Sequence, residues 1–434
     1  MEMTGQGSSI TRNGYFVVLL LAGVYTLSFL DRQLVALLAE PIKKDLRLSD
    51  TQLGLLTGLT FVVFYTGFGL PVAWLADRSS RVRIVVIACA LWSIFTASCG
   101  VAQNFTQLAL ARIGVGVGEA GGSPPSLSII ADYFPPEQRG KATALYALGV
   151  PVGTTLGAAL GGWIAAHYGW RSAFWAIGTF GTIYAMIVAV GVREPNRGKL
   201  DSAAHGAAYS GAVMKRFLAD PALFFTALAA GLSAFVGYAM LSWTPALLMR
   251  TKGMSLSELS LYYSIVSGAA AAIGTVLSGY LVDRYGKTDR RMYALVPAAA
   301  FAIALPFFVA SVGVPSWQLS LLIMAVPFGL YTSYLAPALA LVQNSVAPAQ
   351  RSSASAVLLF ITSIIGLGGG PVYVGTVSDA AAHAGYHAPL QIAMFALAPV
   401  FVAAVVVQLI AARALRHGHA TGAQNDLHSG ELGI

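Results

Sequence analysis

The sequence predicts an all-α membrane protein, with twelve transmembrane helices arranged as two six-helix bundles. Three observations predict it. Only 10% of the 434 residues are charged while 56% are apolar, against roughly 25% charged in a soluble domain. Residues 15–30, 52–75, 84–103, 222–247, 292–312 and 388–412 contain no charge at all. The second half of the chain also echoes the loop sequences of the first.

A helix needs about 20 mostly apolar residues to cross the hydrocarbon core, and twelve segments qualify. The first, 15–38, is too long for a cleavable signal and contains Asp31 and Arg32. The second, 52–75, leads into the loop "WLADRSSRVR"; the third, 84–103, holds both cysteines. Cys89 and Cys99 fall about 15 Å apart along one helix, too far to bond to each other, so they do not report a redox compartment. The fourth, 105–131, sets Arg112 and Glu119 beside "GVGVGEAGG". The fifth, 140–165, carries "ALGVPVGTTLGAALGG", and the sixth, 171–192, completes the first bundle, residues 1–192. Residues 193–220 form a basic linker. The second bundle, 221–412, comprises 222–248, 258–282, 292–312, 316–345, 352–378 and 388–412, and a tail follows at 413–434.

The formal charge of +8 is topology. Termini and even-numbered loops carry 18 Lys and Arg, odd-numbered loops six. That asymmetry follows the positive-inside rule and places both termini in the cytoplasm. It gives no reason to expect a nucleic-acid partner, and the histidines show no metal-ligand spacing.

Internal repeats come next. "WLADRSSRVR" returns as "YLVDRYGKTDR", aligning Asp77 with Asp283 and Arg78 with Arg284 at an offset of 206. "PPEQRGKATA" returns as "APAQRSSASA", aligning Arg139 with Arg351 at 212. Each echo joins the same pair of helices within its half. Two bundles related by a parallel repeat are one of the architectures of secondary transporters.

The fourth segment also reads as GxGxxG, at Gly116, Gly118 and Gly121. A dinucleotide turn needs a strand before it and an open crevice, and neither is available inside an apolar helix. Gly114, Gly118 and Gly122 instead recur every four residues, the spacing of a close-packing membrane helix face. Arg112 and Glu119 lie seven apart, within about 20° of one line on that helix. An ionisable group inside a bilayer is costly and marks a pathway or relay by default. Counted from the cytoplasmic end, Asp31, Glu119 and Arg112 lie about 24, 18 and 28 Å deep, so four ionisable groups share one zone. Asp31 and Arg32, being adjacent, point about 100° apart and cannot share a partner. The second half offers no such charges. Its polar and aromatic candidates are Tyr238, Trp243, Tyr331 and Tyr334.

These motifs resemble a known family. "WLADRSSRVR" is similar to the GxxxDRxGRR loop of the major facilitator superfamily, with Ala73 and Ser80 in place of its two glycines and Gly279 and Gly286 kept in the second copy. Within it, "FLDRQLVALLAEPIKKDLRLSDTQLGLL" and "RIGVGVGEAGGSPPSLSIIADYFPPEQRGKATALYALGVPVG" resemble the spinster family of lysolipid and sphingolipid-phosphate transporters. The organic-anion branch, which handles sugar acids, has a similar Asp-Arg pair and Arg-to-Glu-Ala stretch. The resemblance implies a polar network of Asp31, Arg32, Arg112 and Glu119 in a central cavity. It also implies a cytoplasmic gate built from Asp77, Arg78, Arg81 and Arg139 with their echoes Asp283, Arg284 and Arg351.

The expectation is an alternating-access secondary transporter and not an enzyme: no HExxH, no facing catalytic acids and no Walker motif occur. A receptor on a transporter fold is the contrasting class, and nothing adds a signalling domain. The expected substrate is a small amphipathic anion, such as a lysophospholipid or sphingoid phosphate. Arg32 would receive its head, since Arg112 would be occupied by Asp31, and Glu119 or Asp31 would carry a coupled proton. Arg112, Tyr238, Trp243, Tyr331 and Tyr334 would complete the binding site. No cofactor or metal is expected, and the chain would work as a monomer in the plasma membrane.

Overall fold

The computed structural model describes residues 5–197, 217, 219–286, 289–346 and 350–430. Most of the linker, Lys287, part of the second echo and the side chain of Asp283 lie outside the described residues. Among the described residues eleven helices are long and apolar enough to cross a membrane: α1 (Gly14–Leu37), α2 (Asp50–Arg78), α3 (Arg81–Cys99), α5 (Gln138–Tyr168), α6 (Trp170–Gly191), α7 (Pro221–Lys252), α8 (Leu256–Val282), α9 (Met292–Gly313), α10 (Trp317–Asn344), α11 (Ser353–His383) and α12 (Pro389–Leu415).

The twelfth segment, α4, departs from expectation. It comes in two pieces, Phe105–Glu119 and Ser123–Tyr133, with a turn at Ala120–Gly122. The reason is local: Gly121 and Gly122 stabilise a helix poorly, and Pro124 and Pro125, with no N–H to donate, are best accommodated in the first turn of a new one. Glu119 therefore ends a helix.

The chain divides into two compact units. One holds Met1–His205 with Leu241–Gly268; the other holds Gly206–Met240 with Ala269–Ile434. The Leu241–Lys252 end of α7 and the beginning of α8, up to Gly268, thus pack with the first half of the sequence, a grouping that the simple division at the linker does not contain.

In the first unit the glycines act by letting backbones approach. A Cβ on Gly118 would sit 2.7 Å from the Trp92 amide nitrogen, and one on Gly116 2.7 Å from the Phe61 carbonyl. The two residues press α4 against α3 on one side and α2 on the other. On α5, Gly149 and Gly157 approach α1 in the same way: a Cβ on each would sit 2.8 Å from a carbonyl oxygen, of Ala22 and Leu30 respectively. Such contacts gain dispersion and weak Cα–H···O bonding, the terms that hold helices together where lipid removes the hydrophobic drive. In the second unit the pattern returns, with Gly366 and Gly370 of α11 against Ala234 and Phe235 of α7.

The repeat extends into hydrogen bonds. Ser49 and Gln52 form a capping box at the start of α2, and Ser255 and Glu258 form one at the start of α8, 206 residues on. A π-turn follows each, at Leu55–Leu59 and Leu259–Tyr263, and α5 and α11 carry π-turns at Gly157–Gly161 and Ser363–Gly369. The break in α4 also has its counterpart. A 3₁₀ segment, Tyr331–Tyr334, interrupts α10, and at the 212-residue offset Tyr331 stands where Glu119 does.

Candidate functional site

The four ionisable residues of α1 and α4 gather inside the first unit. Asp31, Arg112 and Glu119 are 3%, 2% and 3% exposed. Glu119 Oε2 accepts from Ser28 Oγ at 2.6 Å and from Arg32 Nε at 2.8 Å, and Arg32 Nη2 lies 2.7 Å away. A carboxylate at a helix C-terminus meets the negative end of the helix dipole, so the Arg32 cation is the compensation it needs. The guanidinium lies between rings, with Phe61, Tyr65 and Phe29 centred 4.7, 4.8 and 4.9 Å away. Asp31 points elsewhere and accepts from Thr96 Oγ1 at 2.9 Å.

The expected pairing is therefore reversed. Arg32 is the occupied arginine, held by Glu119. Among the described residues no ion pair or hydrogen bond engages Arg112; its Nε has no partner, and its nearest ring, Phe61, is 5.4 Å from Cζ. Asp31 Oδ1 and Glu119 Oε1 are likewise buried without a hydrogen bond. Buried polar atoms are normally satisfied, and here three orphans occur in one network. The arrangement can accept an anion at Arg112 and a proton at either carboxylate. Ser28 and Thr96 went unnoticed in the sequence, because a hydroxyl in an apolar helix usually bonds its own backbone.

The second-half candidates sit differently. Trp243 is 2% exposed and is a packed core side chain. Tyr331 packs against Gly237, and with Tyr334 it belongs to the 3₁₀ segment of α10; Tyr238 is half-buried on α7.

The loop residues make local bonds. Arg81 is buried and pairs with Asp132 of α4 and Glu194, donating to Glu194 Oε1 at 2.8 Å, Ser128 Oγ at 2.9 Å and the Pro195 carbonyl at 3.1 Å. Glu194 also accepts from Ser80 Oγ at 2.7 Å and the Val82 amide at 2.9 Å. Burial pushes the Glu194 carboxyl up, but the Val82 amide, Arg81 and Ser80 outweigh it and hold the group below its ordinary range. Ser80 needs no glycine backbone: at φ −64° it caps α3. Arg197 covers the end of α2 by donating to the carbonyls of Ala76, Asp77 and Ser79. Glu194 and Arg197 were missed as partners; their position just after the sixth segment was the available signal.

Arg78 stacks on exposed Trp74, 4.1 Å from its ring, and the Asp77 side chain is exposed. Arg139 Nε donates to the Ala131 and Phe134 carbonyls, both at 3.0 Å, closing the end of α4. Its echo Arg351 donates to the Gln343 carbonyl at 3.1 Å, again eight residues back, at the end of α10. Arg284 donates to the Tyr280 hydroxyl at 2.9 Å.

The Major Facilitator Superfamily profile matches residues 21–371. An MFS-type efflux pump of Mycolicibacterium smegmatis is 35% identical over 370 residues, 85% of each chain. The hexuronate transporter of Bacillus subtilis is 26% identical over 374 residues, 83% of this chain and 86% of its own. Among solved structures, a bacterial homolog of the human lysosomal transporter spinster superposes with a TM-score of 0.85 at 31% identity, over 93% of this chain and 98% of that one. The chain belongs to the Major Facilitator Superfamily of transporters, and within it resembles the spinster proteins.

Proposed function

We propose that this transporter moves an amphipathic anionic lipid, a lysophospholipid or sphingoid phosphate, by alternating access coupled to protons. The observation that carries the reading is Arg112, a buried guanidinium with no ion-pair partner among the described residues. A planar fork of donors suits a phosphate or carboxylate. The aromatic rings around Arg32 give an alkyl chain apolar surroundings within reach of the same cations, and each buried methylene adds roughly 0.8 kcal/mol. A substrate polar throughout would leave hydroxyls unpaired there, at about 1–3 kcal/mol each.

Glu119 is the proposed proton carrier. Its Oε2 is tied to Arg32 and Ser28, and its Oε1 is open to a proton. Asp31 is the second candidate. The distribution of Lys and Arg supports cytoplasmic termini in a plasma membrane, and a monomer suffices because all four groups come from one chain. The competing reading, a proton-coupled sugar-acid symporter, draws on the hexuronate transporter among the relatives.

Flux into proteoliposomes of lysolipids, sphingosine phosphate and hexuronates, with and without a pH gradient, separates the two. Lysolipid flux that rises with the gradient and with tail length supports the proposal. Saturable hexuronate flux without any lysolipid response overturns it.

A further inference from the structure

A second charge cluster lies on the face opposite the basic loops, away from Arg112 and Glu119. The chain leaves α1 at Leu38, forms the short helix Ala39–Leu46, turns at Arg47 with φ 54°, and enters α2 behind the Ser49 capping box. That path brings two carboxylates together, Glu40 at 5% and Asp50 at 2% exposed. One guanidinium, Arg250 in the last turn of α7, holds both. Its Nε donates to Glu40 Oε1 at 2.9 Å, and Nη1 and Nη2 reach the two oxygens of Asp50 at 2.7 and 2.9 Å. Lys43 Nζ adds a contact to Asp50 Oδ1. Two acids and two cations leave the cluster neutral.

The neighbouring acids are committed elsewhere. Asp45 is held by Arg171 and Trp170 of α6, and Glu258 of α8 caps its own helix through Ser255. Lys252 stands at the very end of α7, and Lys44 and Arg47 are exposed. On α1 the next ionisable groups are Asp31 and Arg32, more than two turns deeper.

Arg250 is also placed to leave. Pro245 lies inside α7 five residues earlier, where a missing backbone donor makes a helix bend. If the end of α7 swings away, Glu40 and Asp50 lose one positive charge in a nearly dry place. A buried ion that loses its partner is strongly disfavoured. One proton restores neutrality.

We propose that Glu40 and Asp50 form a proton-binding site on this face, at which one proton and the Arg250 guanidinium compete. The proton comes from water on that side when Arg250 departs, and returns to it when Arg250 re-enters. The proposal rests on the alternating-access reading, but on neither the lipid substrate nor Glu119.

The test uses full-length protein in nanodiscs, with spin labels on Lys44→Cys and Ser257→Cys in a Cys89→Ala, Cys99→Ala background. Acidification should lengthen the distance between the labels, with a slope of one proton. Glu40→Gln with Asp50→Asn should abolish that response, and Asp45→Asn, which removes the neighbouring acid held by Arg171, should leave it intact. Arg250→Lys keeps the charge but loses the fork, so it should open at higher pH than wild type; it keeps the test decisive if the double variant does not fold. A wild-type distance indifferent to pH, an intact response in the double variant, or an unshifted Arg250→Lys midpoint overturns the proposal. Loss of the response in Asp45→Asn alone assigns the proton to Asp45 and overturns it equally, without touching the proposed transport function.

Discussion

Replacing Arg112 with Met should stabilise the empty protein and cripple ligand binding, while Arg32→Ala should do nearly the reverse. Arg112 is 2% exposed and its Nε finds no partner. Leaving a buried donor unsatisfied costs about 1–3 kcal/mol, more when it is charged. Methionine fills a similar volume without that cost. Arg112 lies within electrostatic reach of Asp31, which offsets part of the gain and leaves a net stabilisation of about 1 kcal/mol. Arg32 is different. Removing it strips Glu119, whose side chain is 0% exposed, of its cation. Breaking a buried pair costs about 3–5 kcal/mol; the 19% exposure of Arg32 admits water and lowers this to about 2–3 kcal/mol. On binding, loss of a charged hydrogen bond worth about 1.5–3 kcal/mol weakens affinity about 10- to 150-fold. A thiol-reactive dye reports unfolding directly, since Cys89 and Cys99 are both 0% exposed until the helices separate. Lysolipid titration on the same samples gives affinity. If Arg112→Met melts below wild type yet binds lysolipid normally, the unpaired arginine is structural and the anion site lies elsewhere.

Other expectations concern coupling, gating and packing. Glu119→Gln should abolish accumulation driven by a pH gradient while sparing some exchange; continued uphill transport in vesicles would pass the role to Asp31. Asp77→Asn should raise cytoplasmic labelling of cysteines introduced beside Arg139 and Arg351, and unchanged labelling would leave Asp77 a solvated loop residue. Because Glu194 is held below its ordinary range, its contribution to anchoring residues 193–197 is complete above the unfolded carboxyl value of about 4.3 and is lost as pH falls through the lower folded value. Limited proteolysis of that segment should therefore stay slow to below about pH 4, and in Arg81→Gln it should become fast at higher pH. Gly118→Leu should lower the melting temperature sharply and reduce the folded yield, since the new side chain starts 2.7 Å from the Trp92 amide nitrogen; overpacking of this kind costs about 1–3 kcal/mol or more.

By itself the sequence determined the spans, the repeat and the membership of the charged site. Charge-free length is a one-dimensional consequence of hydrocarbon thickness, and so the boundaries predicted for α6, at 171–192, and α9, at 292–312, fall within a residue or so of Trp170–Gly191 and Met292–Gly313. An ionisable residue in such a span has to be sheltered, which singles out Asp31, Arg32, Arg112 and Glu119 without any coordinates. Two capping boxes 206 residues apart were equally legible, as Ser-x-x-Gln and Ser-x-x-Glu before apolar runs. Tertiary structure alone decided who pairs with whom. Depth along a helix follows from residue number, but rotation and neighbours do not, and those assign Glu119 to Arg32, leave Arg112 open, and set Thr96 against Asp31. Arg250 and Asp50 stand 200 residues apart in the chain, and Glu194 lies 113 from Arg81. No local pattern joins such residues; they meet only because close-packed glycines fix the helices at the distances and angles where one guanidinium reaches two carboxylates.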